Sequence, residues 1–528
     1  MCLLLAYART AACADRNLIS FQVPKPLSYD ELRKLAVEDP PRGPLAEALD
    51  RVLSEPVIDN HASLSGARPF RLTTSSGYVL RIAEWNINRG INFDDVQWVL
   101  SASVRFDDNA QFRGSSVAEH RSVKELQLVR SADVVILDEA DDGMNRTKYR
   151  NVARALARAL QFNYVYGVEF VELNRLYMAE KKLDQVRDEI KPHTDAAFAL
   201  DPARFRGLEG TAILSRYPIV DARLIRLPEC YDWYHGEIKE ISALEHARRW
   251  SAMKIFKESI RRQVRRGGRM ALIADLAVSE APGRHVTVVA PHLENYCPPS
   301  CRHSQMDYLL DHVRDTPNTV VIAGDLNTTG RDGTPTSIRR EILKRVRSWR
   351  FWAKEALFWF VPVPFAAVVE IPVNYFKNYH DPTAISVPLL LPNRERPLFD
   401  DLQTFRFSDG GALNFSGTPA LAVRHKSRTL ADSNQRSWKG FVPTFSFHKT
   451  YFHLVGSFKL DWFFIKSGAG SANGKRVPTP SLRAQCGHTL KRVNKVFGTR
   501  ISDHAPITVD LALTSGVEGT KADDTCTF

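Results

Sequence analysis

Short apolar segments rich in β-branched residues recur along this chain and constrain its fold more than any other feature of the sequence. The segments "VVILDEAD" and "TVVIAGDLN" have the length of buried strands, and the helical pattern "YRNVARALARAL" follows the first of them. Strands that alternate with helices are typical of an α/β domain. The second segment ends in Asp325 and Asn327, whose spacing of two places both side chains on one face of a strand.

The predicted strands share polar ends. A single polar residue after a strand is an ordinary turn former or cap. Carboxylates and histidines that recur at the ends of buried strands cost desolvation free energy unless something gathers them, and a divalent cation bound by oxygen atoms would do so. The pattern therefore predicts that these residues converge on one site. They are Asn86, Asn88, Asp138, Glu139, His292, Asp325, Asn327, Asp503 and His504, with Asp461 inside "KLDWFFI".

The same segments resemble, in order, the motifs of the endonuclease/exonuclease/phosphatase superfamily. They are "WNINRG", the Glu of "VVILDEAD", "GTAILSRYPI", "PHLEN", "GDLN", "LDWFF" and "SDHAPI". The resemblance covers about residues 80–513 and implies the deoxyribonuclease-I-like fold, an α/β four-layer sandwich of two packed mixed β-sheets flanked by helices. It leaves a partly helical leader at 1–79, a long insertion at about 331–456 and a tail at 514–528 that we expect to be disordered.

The resemblance also implies a metal site. Glu139 would be the principal ligand of Mg²⁺, or of Mn²⁺ in its place, and Asn88 and Asp503 would lie close to the ion. The sequence departs from the superfamily at two positions. Thr211 stands where an Asn is usual, and Asp138 stands where a Gln commonly precedes the metal-binding Glu. Thr211 loses an amide that would order its neighbours, and Asp138 adds charge beside the predicted metal.

The catalytic residues implied by the resemblance lie at the other strand ends. Asp325 would orient or deprotonate the attacking water, and Asn327 would hold a phosphoryl oxygen. His504, oriented by Asp461, would donate a hydrogen bond to charge developing on the phosphoryl group. His292 would contact the phosphate or protonate the leaving oxygen, and Asn86 would support this network. The substrate-binding residues would thus be Asn86, Asn327 and His292.

The charge of the chain indicates a class of partner without identifying it. The chain has 72 Lys and Arg against 60 Asp and Glu, a net charge of +12, which attracts phosphates, nucleic acid or an anionic membrane. We therefore expect a metal-dependent phosphoesterase that hydrolyses a phosphodiester, nuclease-like or phospholipid-like, by in-line attack of water. The alternative is a non-catalytic module that binds nucleic acid or membrane through its basic helices. We expect a monomer.

Two basic segments bear on the substrate. Residues 337–376 combine a basic helical pattern with an apolar, aromatic stretch, which is typical of either an internally packed lid or a peripheral membrane contact. Residues 246–269, "HARRWSAMKIFKESIRRQVRRGGR", predict a second basic helix that would follow a nucleic-acid backbone, rest on lipid or face solvent. The sequence does not choose among these alternatives.

The cysteines and the N-terminus give less specific indications. Seven cysteines in so long a chain favour ordinary thiols over a disulfide framework, although Cys297 and Cys301 could pair or meet His303 at a metal. The start "MCLLLAYARTAACA" lacks the basic region of a secretory signal, which favours the cytoplasm but leaves export open. No stretch reaches about 18 uninterrupted apolar residues, so we predict no transmembrane helix.

Overall fold

The computed structural model describes most of the predicted catalytic domain. The described residues are 21–65, 72–74, 77–101, 117–173, 200–238, 243–257, 263–279, 281, 285–328, 349, 395–414, 436–437, 440–451, 455–466, 470–472, 475–477 and 484–513. The apolar segment at 351–376 and the tail at 514–528 lie outside them.

The α-helices in these residues are α1 (Tyr29–Leu35), α2 (Gly43–Ser54), α3 (His61–Leu64), α4 (Phe93–Leu100), α5 (Val117–Arg130), α6 (Val152–Leu160), α7 (Trp233–Ile238), α8 (Ala243–Phe256), α9 (Pro299–Val313) and α10 (Arg396–Thr404).

The strands are β1 (Phe21–Gln22), β2 (Val57–Asp59), β3 (Leu72–Thr74), β4 (Gly77–Arg89), β5 (Val134–Asp142), β6 (Asn163–Glu172), β7 (Leu208–Ser215), β8 (Ile219–Arg226), β9 (Arg265–Gly267), β10 (Met270–Ala277), β11 (His285–Pro291), β12 (Thr319–Asp325), β13 (Leu413–Asn414), β14 (Arg436–Ser437), β15 (Gly440–Phe441), β16 (Phe445–Tyr451), β17 (Val455–Phe458), β18 (Asp461–Lys466), β19 (Gly470–Ala472), β20 (Lys475–Val477), β21 (Ala484–Thr489) and β22 (Ile507–Ala512).

Two mixed sheets form the centre of the domain. The first has the order β1-β2-β6-β7-β5-β4-β22-β21, with β3 added on β4 and β9 on β6, and the second has the order β13-β18-β12-β11-β10-β8. Parallel pairs, β4 with β5 and β11 with β12, are combined with antiparallel neighbours in both sheets. Side chains from both sheets, including Ile82 and Ile136 from the first and Val288, Val321 and Phe463 from the second, fill one buried core.

Helices cover the outer face of each sheet. Leu32, Val96 and Leu156, from α1, α4 and α6, pack in a core on the first sheet. Met306 of α9 and Phe399 of α10 pack in another core on the second sheet. The order of layers is therefore helices, sheet, sheet, helices, and the four-layer α/β sandwich is confirmed. Within the described residues, no helix combines the length and the apolar character that crossing a bilayer requires.

The described part of the leader packs as an integral part of this sandwich. Ser28 and Glu31 form the predicted capping box at the start of α1, so the sequence signature is confirmed. The strand β2 pairs with β6 through Val57–Asp59, and β1 pairs with β2. Residues before 80 therefore supply the edge of the first sheet as well as two helices that cover it.

The described part of the predicted insertion also contacts the domain. Leu398, Phe399 and Leu402 of α10 are fully buried, and β13 forms the edge of the second sheet beside β18. Shortly before β18, Phe445 of β16 forms an isolated bridge with His504. Phe445, near the end of the predicted insertion, therefore lies beside His504 of the predicted site.

The predicted basic helix at 246–269 is wrong in its second half. Helix α8 ends at Phe256, and Arg265 begins the short strand β9, which pairs with β6. Arg265 and Arg269 are buried rather than exposed. Their guanidinium groups have carboxylate partners inside the domain, Glu209 and Glu169, which offset the cost of burying the charge.

The prediction of ordinary thiols is also wrong for one pair of cysteines. Cys230 and Cys301 form a disulfide, whereas Cys297 is free. His303 does not join them, because its Nε2 is hydrogen-bonded to Asp401 Oδ2. The pairing could not be inferred from the sequence because the two cysteines are separated by 71 positions and meet only in the folded chain.

Candidate active site

Residues of four strands meet at one edge of the sandwich, among them the last residue of β12 and the first residue of the antiparallel β18. Asp325 is in register with Asp461 across β12 and β18, and Asn86 is in register with Asp138 across β4 and β5. Hydrogen bonds join the two sheets at this edge. Asn86 Nδ2 donates to Asp325 Oδ2 at 3.1 Å, and the Asp325 amide donates to Asp138 Oδ2 at 2.9 Å. The structure thus brings together residues that the sequence placed at separate strand ends.

Left-handed backbone conformations turn three of the predicted residues away from the regular strand pattern. Asn88, Glu139 and Asn327 have φ angles of 48°, 54° and 49°. The β4–β5 and β5–β7 pairings shift register around Asn88 and Glu139, as in β-bulges beside other active sites. Such a conformation suits Asn but is strained for Glu. The bulges therefore re-aim the side chains that the resemblance assigns to the metal.

His504 and Asp461 form a buried pair. His504 Nδ1 lies 3.0 and 2.9 Å from the two Asp461 oxygens, and Trp85 Nε1 donates to the His504 carbonyl at 3.0 Å. Although burial disfavours the cation, Asp461 and the nearby Asp325 raise the pKa of His504 well above its usual value. At neutral pH His504 is therefore an imidazolium, a hydrogen-bond donor with positive charge.

Asp325 is held by donors on both oxygens. The backbone N–H of Asn327 donates to Oδ1 at 2.8 Å, and Oδ2 lies 3.6 Å from His504 Nε2. Burial raises the pKa of Asp325, with the Asp461 charge adding to the effect and His504 opposing it. A raised pKa makes this carboxylate a better proton acceptor than an exposed Asp.

His292 belongs to a second polar cluster at the same edge. Its Nδ1 lies 3.0 Å from Glu169 Oε1, and its Nε2 lies 3.8 Å from Asp325 Oδ2. Burial and Arg269 act to lower the pKa of His292, but Glu169 and Asp138 raise it to about 9. The sequence reasoning missed Glu169, because an acidic residue inside the strand-like segment "NYVYGVEFVEL" carries no local signal of this contact.

Thr211 and Asp138, the two departures from the superfamily pattern, contact each other. Thr211 Oγ1 lies 2.8 Å from both Asp138 Oδ1 and Glu169 Oε1, so its single hydroxyl proton serves one carboxylate at a time. Burial raises the pKa of Asp138 to about 7, while His292 opposes the shift. Thr211 therefore orders its neighbours through its hydroxyl group instead of an amide, and Asp138 supports the backbone of Asp325.

The residues assigned to the metal are less buried than those assigned to catalysis. Asn88, Glu139 and Asp503 are half-buried, whereas Asp325 and Asp461 are almost fully buried. Asn86 Nδ2 donates to Glu139 Oε1 at 3.3 Å, and Ser502 Oγ donates to Asp503 Oδ1 at 3.2 Å. Neither carboxylate forms an ion pair with any Lys, Arg or His that the structure describes. Accessible oxygen donors of this kind fit a hard divalent cation that keeps several waters.

Three arginines surround one buried carboxylate next to this edge. Glu209 accepts hydrogen bonds from Arg89 Nε, Arg146 Nη2 and Arg265 Nη1, each at 3.0 Å. Burial alone would raise the pKa of Glu209, but the three guanidinium groups hold it well below its usual value. Arg89 directly follows Asn88, so the positively charged cluster lies next to the predicted metal site. We call Glu209 with these three residues the arginine cluster.

The side chain of Asn327 is partly occupied by a contact within the protein. It lies just beyond the end of β12, and its Nδ2 donates to the Leu293 carbonyl at 2.9 Å. One amide proton is therefore committed to the loop that follows His292. The other amide proton and the side-chain oxygen are the groups that remain for a phosphoryl oxygen or a water.

Comparisons with known proteins identify the family of the chain. The sequence model of the Endonuclease/Exonuclease/phosphatase family matches residues 83–504. Among solved structures, the chain is similar to an endonuclease/exonuclease/phosphatase from Beutenbergia cavernae DSM 12333, with 16% identity, 82% of this chain and 71% of that chain covered, and a TM-score of 0.30. It is also similar to a humanized D. rerio TDP2, with 13% identity, coverage of 83% and 99%, and a TM-score of 0.32.

A third similar structure is the human Nocturnin catalytic domain with bound sulfate anion, with 10% identity, coverage of 84% and 98%, and a TM-score of 0.31. A comparison with curated protein sequences gave no match. The structural similarities are remote, whereas the family match spans most of the chain and every predicted site residue. The chain therefore belongs to the endonuclease/exonuclease/phosphatase family of phosphoesterases.

Proposed function

We propose that the protein is a divalent-metal-dependent phosphodiesterase that activates water for in-line attack on phosphorus. The observation that carries the proposal is the convergence of Asp325 and the His504–Asp461 pair with the open carboxylates of Glu139 and Asp503 at one edge of the sandwich. A buried acid, a buried imidazolium and accessible metal ligands are the groups that phosphoryl transfer requires.

Each residue has a distinct task in this proposal. Asp325 accepts the proton of the attacking water, and its raised pKa favours that role. His504 donates a hydrogen bond to the phosphoryl oxygen on which charge develops, while Asp461 holds the ring in place. Protonated His292 contacts the phosphate or supplies a proton to the leaving oxygen.

The metal would be held by Glu139, with Asn88 and Asp503 nearby. Mg²⁺ or Mn²⁺ supplies positive charge that polarises the phosphoryl group when it is bound. Asn86 links this part of the site to the proposed general base, since its side-chain amide donates to both Glu139 and Asp325. The arginine cluster adds cationic charge beside Asn88, which favours an anionic substrate.

The test is hydrolysis of bis-p-nitrophenyl phosphate with and without EDTA, followed by re-addition of Mg²⁺ or Mn²⁺. We expect Asp325→Ala to remove activity and His504→Ala to lower turnover by about 10²–10³. Glu139→Gln should raise the metal concentration that half-restores activity. The matched control is Asp311→Asn, because Asp311 is an exposed acid on α9 and should not affect the rate.

The rival function is a non-catalytic module that binds phosphate-bearing ligands. Equal background rates from the wild type and Asp325→Ala, across several metals, would favour the rival. If the wild type is active instead, its substrate class remains to be identified, because the family contains both phosphodiesterases and phosphatases. A parallel screen of plasmid DNA, RNA, sphingomyelin and inositol phosphates would identify that class.

A further inference from the structure

Three sulfur atoms meet on the side of the second sheet. The Sγ atoms of Cys230, Cys297 and Cys301 all lie within 4.8 Å of one another, and all three residues are half-buried. Cys230 lies in the loop before α7, Cys297 lies in the loop before α9, and Cys301 lies in the first turn of α9. The fold, rather than local sequence spacing, therefore creates a three-cysteine cluster.

Two features near the cluster carry positive charge, although the Glu294 and Glu395 carboxylates oppose them at Cys297. Arg302 Nη1 lies 3.8 Å from Cys297 Sγ and donates to the Cys297 carbonyl at 3.1 Å. Cys301 lies at the amino end of α9, a helix of 15 residues, where the backbone dipole is positive. Both features stabilise thiolates, which are the form of cysteine that binds metals.

Burial acts in the opposite direction on the free thiol. It raises the pKa of Cys297 to about 11, even though Arg302 opposes the shift. The Cys297 Sγ–H group also donates to the Glu294 carbonyl at 3.4 Å. Cys297 is therefore a protonated thiol at neutral pH unless a cation takes the place of its proton.

We propose that the three cysteines, once their disulfide is reduced, form a three-thiolate site for one thiophilic cation such as Zn²⁺. Zinc–sulfur bonds of about 2.3 Å in tetrahedral geometry separate the sulfurs by about 3.8 Å, so the two disulfide sulfurs must move apart after reduction, within the 4.8 Å that the cluster already spans. The half-buried position leaves a fourth coordination place for water. The site is independent of the proposed phosphodiesterase function.

Formation of the proposed site requires two steps, reduction of the disulfide and exchange of thiol protons for the cation. A phosphine reductant cleaves the Cys230–Cys301 bond, is oxidised to the phosphine oxide with oxygen taken from water, and leaves two thiols. Binding of one divalent cation then releases one proton from each of the three thiols. Since the disulfide ties up two of the three ligands, the oxidised protein should not bind the metal at this site.

His303 does not supply the fourth ligand. Its Nε2 is hydrogen-bonded to Asp401 of α10 and lies 3.5 Å from Asp307 of α9. His303 therefore belongs to a separate polar group with these two acids. The ligand set is thus made of sulfur alone. A site of this composition differs from the oxygen ligands at the catalytic edge and selects a different class of cation.

The experiment uses the full chain, stripped of metal with EDTA, reduced with a phosphine and desalted without oxygen. Co²⁺ replaces Zn²⁺ as the probe, because thiolate ligands give an intense near-ultraviolet charge-transfer band that oxygen ligands at the catalytic edge do not. We expect one equivalent of Co²⁺ to produce the band in the reduced protein and none in the oxidised protein. Added Zn²⁺ should remove it, and lowering the pH from about 7 to about 6 should weaken binding at least tenfold.

Cys297→Ser should weaken Co²⁺ binding at least tenfold and leave the Cys230–Cys301 disulfide able to form. Cys230→Ser gives a second reading, because it removes a different ligand and should also lose the band. The control is Cys486→Ser, which changes a cysteine of β21 in the first sheet and should bind as the wild type does. The proposal is overturned if the reduced wild type, with its thiols shown to be free by titration, gives no stoichiometric band. It is equally overturned if folded Cys297→Ser or Cys230→Ser binds Co²⁺ as tightly as the wild type.

Discussion

The arginine cluster yields a quantitative prediction for the variant Glu209→Gln. This substitution keeps the volume and one acceptor oxygen of the side chain but removes its negative charge. The Glu209 and Arg265 side chains are 3% and 2% exposed, and the Arg265 guanidinium lies 3.5 Å from the Phe170 ring centre. Arg265 therefore cannot reach water to compensate for the lost partner.

The expected cost follows from leaving buried cations without their partner. Removing one member of a buried ion pair typically costs about 3–5 kcal/mol. Glu209 serves three guanidinium groups, although Arg146 keeps a second partner in Asp141 at 2.7 Å, so we expect a value within this range rather than a multiple of it. For a large domain, about 2 °C per kcal/mol converts the loss into a fall of about 6–10 °C in melting temperature.

Thermal unfolding followed by circular dichroism at pH 7 measures this difference. Because the pKa of Glu209 in the folded protein is below its unfolded value near about 4.3, its contribution is present at pH 7 and is lost as the pH falls below that value. The gap between wild type and variant should therefore narrow in acid. Asp221→Asn is the control, since Asp221 is exposed, lies 3.7 Å from Arg223 and should contribute less than about 1 kcal/mol.

A melting temperature of Glu209→Gln within about 2 °C of the wild type would refute the reasoning. The same holds for a gap that is unchanged between pH 7 and pH 3.5, because the effect would then not depend on the charge of Glu209. Equal losses in Glu209→Gln and Asp221→Asn would also count against it, since burial would have no influence on the result.

Three further predictions concern the site and the apolar segment. Thr211→Val should cost about 1–3 kcal/mol in denaturant unfolding, because it removes the hydroxyl donor shared by Asp138 Oδ1 and Glu169 Oε1, whereas Thr211→Ser should retain most of the stability. The His292 ring should titrate near pH 9 by NMR and lower in Glu169→Gln; its contribution to stability is present below about pH 6.5 and lost as the pH rises through 9. Replacing 351–376 with a Gly-Ser linker should preserve cleavage of small diesters, and should abolish any sedimentation with anionic liposomes.

The strands and the strand-end residues could be predicted because their signals are local. β-branched runs mark β5 and β12, and the polar residues that follow them are visible without knowledge of the tertiary fold. The prediction that Asp325 and Asn327 share one face of a strand is wrong for Asn327. The strand ends at Asp325, and the left-handed Asn327 turns its amide nitrogen to the Leu293 carbonyl. Local patterns predicted residues that lie together in the fold, but not the direction of each side chain.

The buried ion pairs could not be predicted because their partners are distant in sequence. Glu169 meets Arg269 across 100 positions, and Glu209 meets Arg89 across 120 positions. Arginine-rich segments are usually exposed, which is why the sequence around Arg265 predicted a basic helix that would meet nucleic acid, lipid or solvent. Only the fold shows that these charges neutralise one another, and the same reason explains the missed pairing of Cys230 with Cys301.

The left-handed backbone of Glu139 has a consequence for how this domain can be stabilised. A residue with a long side chain carries a conformational penalty of about 1–2 kcal/mol there, which Gly avoids and Asn reduces. Glu139→Gly should therefore relieve local strain while deleting the principal oxygen donor of the proposed metal site. A chain optimised for thermal resistance alone would discard the acid at this bulge. The position thus marks a trade-off between stability and activity, and engineering for heat tolerance should leave it untouched.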